Sequence, residues 1–509
     1  MSCRRLNKTA WALFILCLPG NSIQTKSQEI SLKGDWIGHY ELLGTKYFSF
    51  LSIDLEGNVS IRSPHDVEEL NAELFLEQAV PLIGIAKRGK TLLLRPTDID
   101  QNKVKGRVIS SEAEGEFVFF KRAVRLPLNK QHQYLGYYKT KNGIFKVWNR
   151  YDTFRVYSYL TQTISPLYAI SDGRFYTDEG EVIEFDLEDS SLTWSYPNQA
   201  KVKAERFTPY EIEEISLKSG VVTLACSYYS SKVTEDVSAV VLLPGGGNLD
   251  RENYRLEAEI FGANGISSIL CDKRGTGKST GNSVNVKFTE LVNDAIAQYE
   301  YLKKRVDISN RKIGFRGPSQ GGRIAIMAGA NVENEAFVIA TSAPIMTMKE
   351  GQIYANLEYA RNLGVPETIA VEVAYIWSQY YDQFLTGVIK EELVEKVNAV
   401  RNRYPSLHLP PGTTRLPAGI ESVNILDDTS TYLSKVNAPI LFQYGANDDR
   451  VSPRGSISKI NEALSQTESD FLILEYKNAN HSLMLPGFKI ASGIFMDQIK
   501  WIKQKVDIE

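Results

Sequence analysis

The 509-residue chain is poor in cysteine and histidine, with four of the first and five of the second. Cys3 and Cys17 fall in the first twenty residues, which leaves Cys226 and Cys271, each inside an apolar, strand-like run. Two cysteines in a chain of this length are not a disulfide framework, and the expectation is a pair of buried free thiols. His39 and His65 have no second ligand at metal spacing and read as surface residues. No run of eighteen apolar residues occurs, which excludes an ordinary membrane span. A net charge of −3 offers no basic field for nucleic acid or an anionic surface. Apolar content of 43% and charged content of 23% are ordinary for globular chains. The length is too great for one core, so two to four domains are expected.

The start of the chain differs from the rest. Arg4, Arg5 and Lys8 precede the apolar run Ala10–Leu18, and Pro19-Gly20 ends it. A basic start, a short apolar run and a helix breaker are the features of a secretory signal peptide. The expectation is a leader over residues 1–27, cut between about Gly20 and Ser27, and a secreted or periplasmic protein. Cys17 is a poor lipid-attachment site because Leu16 before it does not fit that motif.

Residues 28–125 look all-β. Tyr47–Asp54 has strand composition, Glu56-Gly57-Asn58 turns the chain into Val59-Ser60-Ile61, and Lys87–Lys90 is a second turn. This spacing predicts a small sandwich or barrel. A second β-rich region spans 126–212 and is dense in tyrosine, including Tyr134, Tyr137, Tyr138, Tyr157 and Tyr176. The tyrosines read first as core packing and second as a stripe for a sugar or aromatic ligand. No low-complexity linker separates the two β regions. From 213 to 509, apolar strands alternate with helices, the pattern of a parallel sheet. The alternation is interrupted at about 345–436, where three helical stretches read as a cap over the C-terminal edge of the sheet. The second of them carries Trp377, Tyr381 and Phe384 beside a stripe of Ile369, Val373, Ile376 and Tyr380, so an aromatic-lined pocket for an apolar acyl or aryl group is expected.

The segment Lys312–Ala330 organises this half. A short apolar strand runs into Gly317-Pro318-Ser319-Gln320-Gly321, and a run of small and apolar residues follows. Strand, G-x-S-x-G and helix resemble the nucleophile elbow of α/β hydrolases. Glycines flank the serine because side chains there would collide in so tight a turn. The helix N-terminus behind it favours a developing oxyanion. In that superfamily the acid and then the histidine follow the serine. Only His408 and His481 do so here. His481 lies just beyond the final strand and is the expected base, whereas His408 falls in the cap. Asp448, third after Gly445 in Gly445-Ala446-Asn447-Asp448-Asp449, is the expected acid, with Asp449 as the fallback. The loop Pro244–Arg251 holds three consecutive glycines, and the N–H groups of Gly246 and Gln320 are the expected oxyanion donors.

The segment Asp272–Ser279 invites a phosphate-loop reading, which fails because Asp272 stands where that motif needs glycine. It instead adds Asp272, Arg274, Gly275, Gly277 and Ser279 to the resemblance, as the D-x-R-G-x-G-x-S loop of bacterial exported esterases and acyl hydrolases. Pro244 and Pro318 depart from that pattern, since histidine often stands at both places. The resemblance covers about Glu213 to Ile508. It implies an α/β fold, a mostly parallel sheet with a helical cap insertion behind an all-β N-terminal region. It also implies a Ser-His-Asp serine hydrolase acting on a small-molecule ester or acyl substrate, with no cofactor, metal or nucleic acid. The rival readings are an aminopeptidase-like amide hydrolase and a non-catalytic binding protein on the same fold.

Overall fold

The first eight strands form a closed antiparallel barrel over Gly34–Lys121. The first strand, Gly34–Leu42, pairs with both Thr45–Ile53 and Glu114–Lys121, and the second pairing closes the cylinder. Alternate residues point inward, as the pleat requires, so Trp36, Tyr40, Leu51, Ile61, Leu94, Val108 and Phe119 fill the interior. The computed structural model describes residues 32–506 apart from short stretches within that range, the longest being 63–69. The expected leader 1–27 and His65 lie outside the described residues.

The chain divides into two compact units. The first takes the residues up to 134 together with 149–155 and 165–203, and the second takes 135–148, 156–164 and 204–509. The β-rich stretch 126–212 is therefore shared between them. In the first unit a short antiparallel meander runs through Tyr168–Ser171, Arg174–Tyr176, Val182–Asp186 and Ser191–Ser195. Tyr134, Phe154, Phe175 and Phe185 pack together in it, with ring centroids 4.8–6.2 Å apart. Tyr134 and Tyr176 here, and Tyr137, Tyr138 and Tyr157 in the second unit, are buried. The tyrosine density thus serves the cores. His39 corrects the surface reading. It is part-buried with Nδ1 against the Tyr176 hydroxyl, and burial first, then the charge of Lys46, lowers its pKa to about 4.

In the second unit, eight strands make one sheet. They are β1 (Tyr210–Ser219), β2 (Val222–Ser231), β3 (Ser238–Leu242), β4 (Ile266–Cys271), β5 (Ile313–Pro318), β6 (Val338–Thr341), β7 (Ile440–Gly445) and β8 (Phe471–Tyr476). Their order is β1-β2-β4-β3-β5-β6-β7-β8. Within this sheet β1 pairs antiparallel with β2 and β2 with β4, and every later pairing is parallel. Strands β3, β4, β6 and β7 are buried along their whole length, as parallel strands covered on both faces must be. Ala239, Val241 and Leu243 join one core with helices α2 (Phe288–Lys303) and α3 (Gln320–Gly329). Val240 and Leu242 join the opposite core with α1 (Arg255–Ala263) and the closing helix Ile494–Lys505.

Cys226 on β2 and Cys271 at the end of β4 are register partners with Cα atoms 3.9 Å apart, and their sulfurs form a disulfide. This corrects the expectation of free thiols. The pairing depends on which strands lie side by side, and a separation of 45 residues does not reveal that.

Between β6 and β7 the chain inserts α4 (Met348–Asn362), α5 (Glu367–Thr386) and α6 (Glu391–Arg403). A capping box of Thr347 and Glu350 starts α4, and Gly387 in the left-handed region ends α5. The stem of the insertion is tied to the helix that follows Ser319. The Arg323 guanidinium donates to the Met346 carbonyl at 2.8 Å and the Asp427 carbonyl at 2.9 Å, the two ends of the insertion. The aromatic stripe of α5 turns into the insertion's own core. Tyr380 is buried with Val373, Ile376, Leu393 and Val397, and Trp377 and Phe384 pack against them. The Trp377 indole donates to the His408 carbonyl at 3.0 Å.

Candidate active site

Strand β5 ends at Pro318, and Ser319 takes φ +52° and ψ −121° before α3 begins. A serine is rarely found in that region, and its strain is held by the packing around it. The turn is closed on both sides. A Cβ on Gly317 would come within 2.3 Å of the Gly321 backbone, and one on Gly321 within 2.7 Å of the Leu243 and Pro244 carbonyls. The Ser319 N–H donates to the Thr341 carbonyl at 2.7 Å, which fixes the turn to β6.

The loops after β7 and β8 meet at Gly445, where a Cβ would lie 2.3 Å from the Asn480 carbonyl. That contact brings His481 onto Asp448. Nδ1 of His481 is 2.8 Å from Oδ2 and 3.0 Å from Oδ1 of the carboxylate. An ionised carboxylate only accepts, so Nδ1 carries the hydrogen and Nε2 keeps its lone pair. Asp448 is buried and its Oδ1 also accepts from the N–H groups of Arg450 and Val451 at 2.8 and 2.9 Å. Asp449 is differently engaged, with Oδ2 accepting from Asn362 of α4 at 2.9 Å. His408 is exposed and stacks on Tyr359 in the insertion.

The glycine loop after β3 stands beside the elbow because β3 and β5 are neighbours and the strand order reverses there. Open α/β sheets form their binding crevice at such a point. The Gly245 N–H is already committed to the Tyr254 hydroxyl at 2.7 Å. Gly246 is exposed, with open space where a Cβ would be. Gln320 opens α3, and the first N–H groups of a helix have no intrahelical partner. Gly246 and Gln320, the donors expected from the sequence, thus stand on the glycine loop and at the start of α3.

Residues that no motif specifies join these loops. The Lys273 ammonium donates to Gln320 Oε1 at 2.6 Å and lies 3.3 and 3.4 Å from the Gly247 and Gly245 carbonyls. Its burial lowers its pKa to about 8. The Tyr354 hydroxyl of α4 donates to the Asp448 carbonyl at 2.8 Å. Within the D-x-R-G-x-G-x-S segment, Asp272 accepts from the N–H groups of Arg251 and Lys278, and Arg274 is forked onto Asp294. That segment is therefore a brace behind the glycine loop. Among the described residues no group of three His, Cys, Asp or Glu side chains gathers as a metal site would need, and no helix is long and apolar enough to cross a membrane.

Residues 235–485 match the family described as serine aminopeptidase, S33. This match supports the α/β-hydrolase superfamily for that stretch of the chain. No curated protein matches it in sequence. Among solved structures, this hydrolase is similar to Est1E from Butyrivibrio proteoclasticus with ferulic acid bound, at 13% identity and TM-score 0.37, over 57% of this chain and 97% of that one. It is also similar to the Pyrococcus furiosus esterase Pf2001, at 17% identity and TM-score 0.37, over 59% and 93%. A third is a dienelactone hydrolase from Anabaena variabilis, at 14% identity and TM-score 0.36, over 58% and 99%.

Proposed function

We propose that the hydrolase cleaves carboxylic esters of small molecules through a Ser319–His481–Asp448 triad. The pairing of His481 Nδ1 with the buried Asp448 carboxylate is the observation that carries this reading. It leaves an imidazole with a basic Nε2 in the superfamily's order of serine, acid and histidine. In the proposed cycle His481 takes the Ser319 hydroxyl proton as Oγ attacks the ester carbonyl. The N–H groups of Gly246 and Gln320 stabilise the oxyanion. His481 passes its proton to the leaving alkoxide, and the acyl group stays on Ser319. A water, deprotonated by His481, then attacks the acyl-enzyme, and the acid leaves as His481 returns that proton to the Ser319 oxygen. Asp448 stays ionised throughout and stabilises the imidazolium. The insertion acts as a cap whose α4 touches the acid loop through Tyr354 and Asn362.

Amide hydrolysis is the second reading, favoured by the serine aminopeptidase description of the matched family. We also propose export with removal of the leader. The Cys226–Cys271 disulfide supports an oxidising compartment. The deciding experiment combines fluorophosphonate labelling with turnover of graded acyl esters, thioesters and aminoacyl amides. Labelling at Ser319 with ester turnover well above amide turnover is expected. Labelling with amide turnover dominant would reject the ester assignment, and no labelling would leave a binding protein on a hydrolase fold.

A further inference from the structure

Lys273 lies two residues past the end of β4, and its side chain reaches the two loops from which the oxyanion donors are drawn. Its three acceptors are Gln320 Oε1 and the carbonyls of Gly245 and Gly247. The Gly245 carbonyl and the Gly246 N–H belong to the same peptide group. That group is planar and trans, so its C=O and N–H point in opposite directions. A cation on the Gly245 oxygen therefore fixes where the Gly246 N–H points. Flipping the peptide would turn the N–H toward the ammonium and lose an ion–dipole contact. The same cation polarises the amide and strengthens its N–H as a donor.

We infer that Lys273 is the positioning residue of the oxyanion site, its ammonium holding the Gly245–Gly246 peptide and the Gln320 side chain so that the Gly246 N–H faces the reacting carbonyl. This rests on the serine-hydrolase reading above. An ammonium has three N–H groups for the three acceptors, whereas a neutral amine has two and turns a lone pair toward an oxygen. The ionisable groups lining the small cavity beside Lys273 are Asp272 and Arg274 on its own segment and Asp294 on α2. Arg251 answers Asp272, and Arg274 answers Asp294. Among the described residues, the contacts of the Lys273 charge are neutral oxygens. Burial accordingly lowers its pKa to about 8, so the clamp weakens as the pH rises through that value.

The test is the pH dependence of kcat for a chromogenic ester in the wild type, Lys273→Met and Lys273→Arg, beside fluorophosphonate labelling of each. In the wild type kcat should fall on the alkaline side with a single ionisation near 8, while KM changes less than about threefold. Removing one oxyanion donor costs about 10²–10³-fold, so losing its positioning residue should lower kcat at pH 7 by about tenfold or more in Lys273→Met, and the alkaline limb should vanish. Lys273→Arg keeps its charge and should stay flat to pH 10, above the Met variant. A wild-type kcat that is flat from pH 7 to 10 overturns the inference whether or not the variants fold. So does a Met variant within twofold of wild type, or one that retains the limb. A wild type that neither labels nor turns over ester would instead sink the serine-hydrolase reading itself.

Discussion

Among the described residues, two histidines have Nδ1 held by one side chain, and they lie in different units. In the α/β half His481 meets the Asp448 carboxylate. In the β half His39 meets the Tyr176 hydroxyl. A carboxylate fixes the hydrogen on Nδ1 and stabilises an imidazolium that forms on the ring. A hydroxyl does neither, and burial holds His39 neutral with a pKa of about 4. Backbone strain divides the same way. Among the described residues, the non-glycine positions at positive φ in the first unit, Leu43 and Ser190, sit at turns between strands, whereas Ser319, Ser342, Asn478 and Leu483 follow β5, β6 and β8. Strain at a hairpin only turns the chain. Strain at the C-terminal end of β5 holds Ser319 in the turn beside the point where the strand order reverses.

The largest test of that contrast substitutes two of the strained serines. Ser319→Ala should lower ester turnover by at least about 10³-fold and leave the melting transition in place. Ser190→Ala should leave turnover unchanged. Residual activity of more than a few per cent in the first variant would show that Ser319 is not the nucleophile. Next in size is the acid. Asp448→Asn should cost about 10²-fold or more in kcat because it loses the charge that orients and stabilises His481. Asp449→Asn should cost far less, since its oxygen serves Asn362 of the insertion. Equal losses would reject the assignment.

The candidate site was legible where chemistry is carried by short local patterns. Ser319, Gly317 and Gly321 form one turn, and Asp448 and His481 each follow an apolar strand. Chain order sufficed to name them. The lateral order of the strands is not written in any local pattern. Lys273, Tyr354 and the Cys226–Cys271 pair depend on it, because each reaches across to a segment distant in sequence. The α5 aromatics show a related limit. A helical stripe says that one face is buried but not against what, and here α6 and the rest of the insertion took it. In the β half the turn spacing left sandwich and barrel open, and closure between the first and eighth strands, more than seventy residues apart, decided it.

A smaller effect should follow from the link between the insertion and the acid. Tyr354→Phe removes the hydrogen bond to the Asp448 carbonyl, worth about 1 kcal/mol. If α4 helps to seat the acid loop, kcat should fall by up to about fivefold, with the ring still in place. A loss as great as that of Asp448→Asn would mean that Tyr354 acts on the substrate directly. No change in kcat would mean that the insertion does not steady the acid.

The smallest effect on turnover, none, is expected at His39, although the residue should matter to stability. Its folded pKa of about 4 lies below the ordinary histidine value of 6.5. The neutral ring is therefore favoured by the fold, and its contribution is fully present above pH 6.5. It is lost as the pH falls toward 4, where protonation of the unfolded chain is favoured by on the order of 3 kcal/mol. His39→Gln cannot titrate there. Amide exchange of the barrel strand Gly34–Leu42, compared between wild type and variant at each pH, should show the wild-type advantage shrinking between pH 6.5 and 4. Ester turnover at pH 7 should be the same in both. A protection difference that is constant with pH would show that His39 does not titrate with folding. A loss of turnover in His39→Gln would break the contrast between the two histidines, because the part-buried ring of the β half would then contribute to the chemistry of the other.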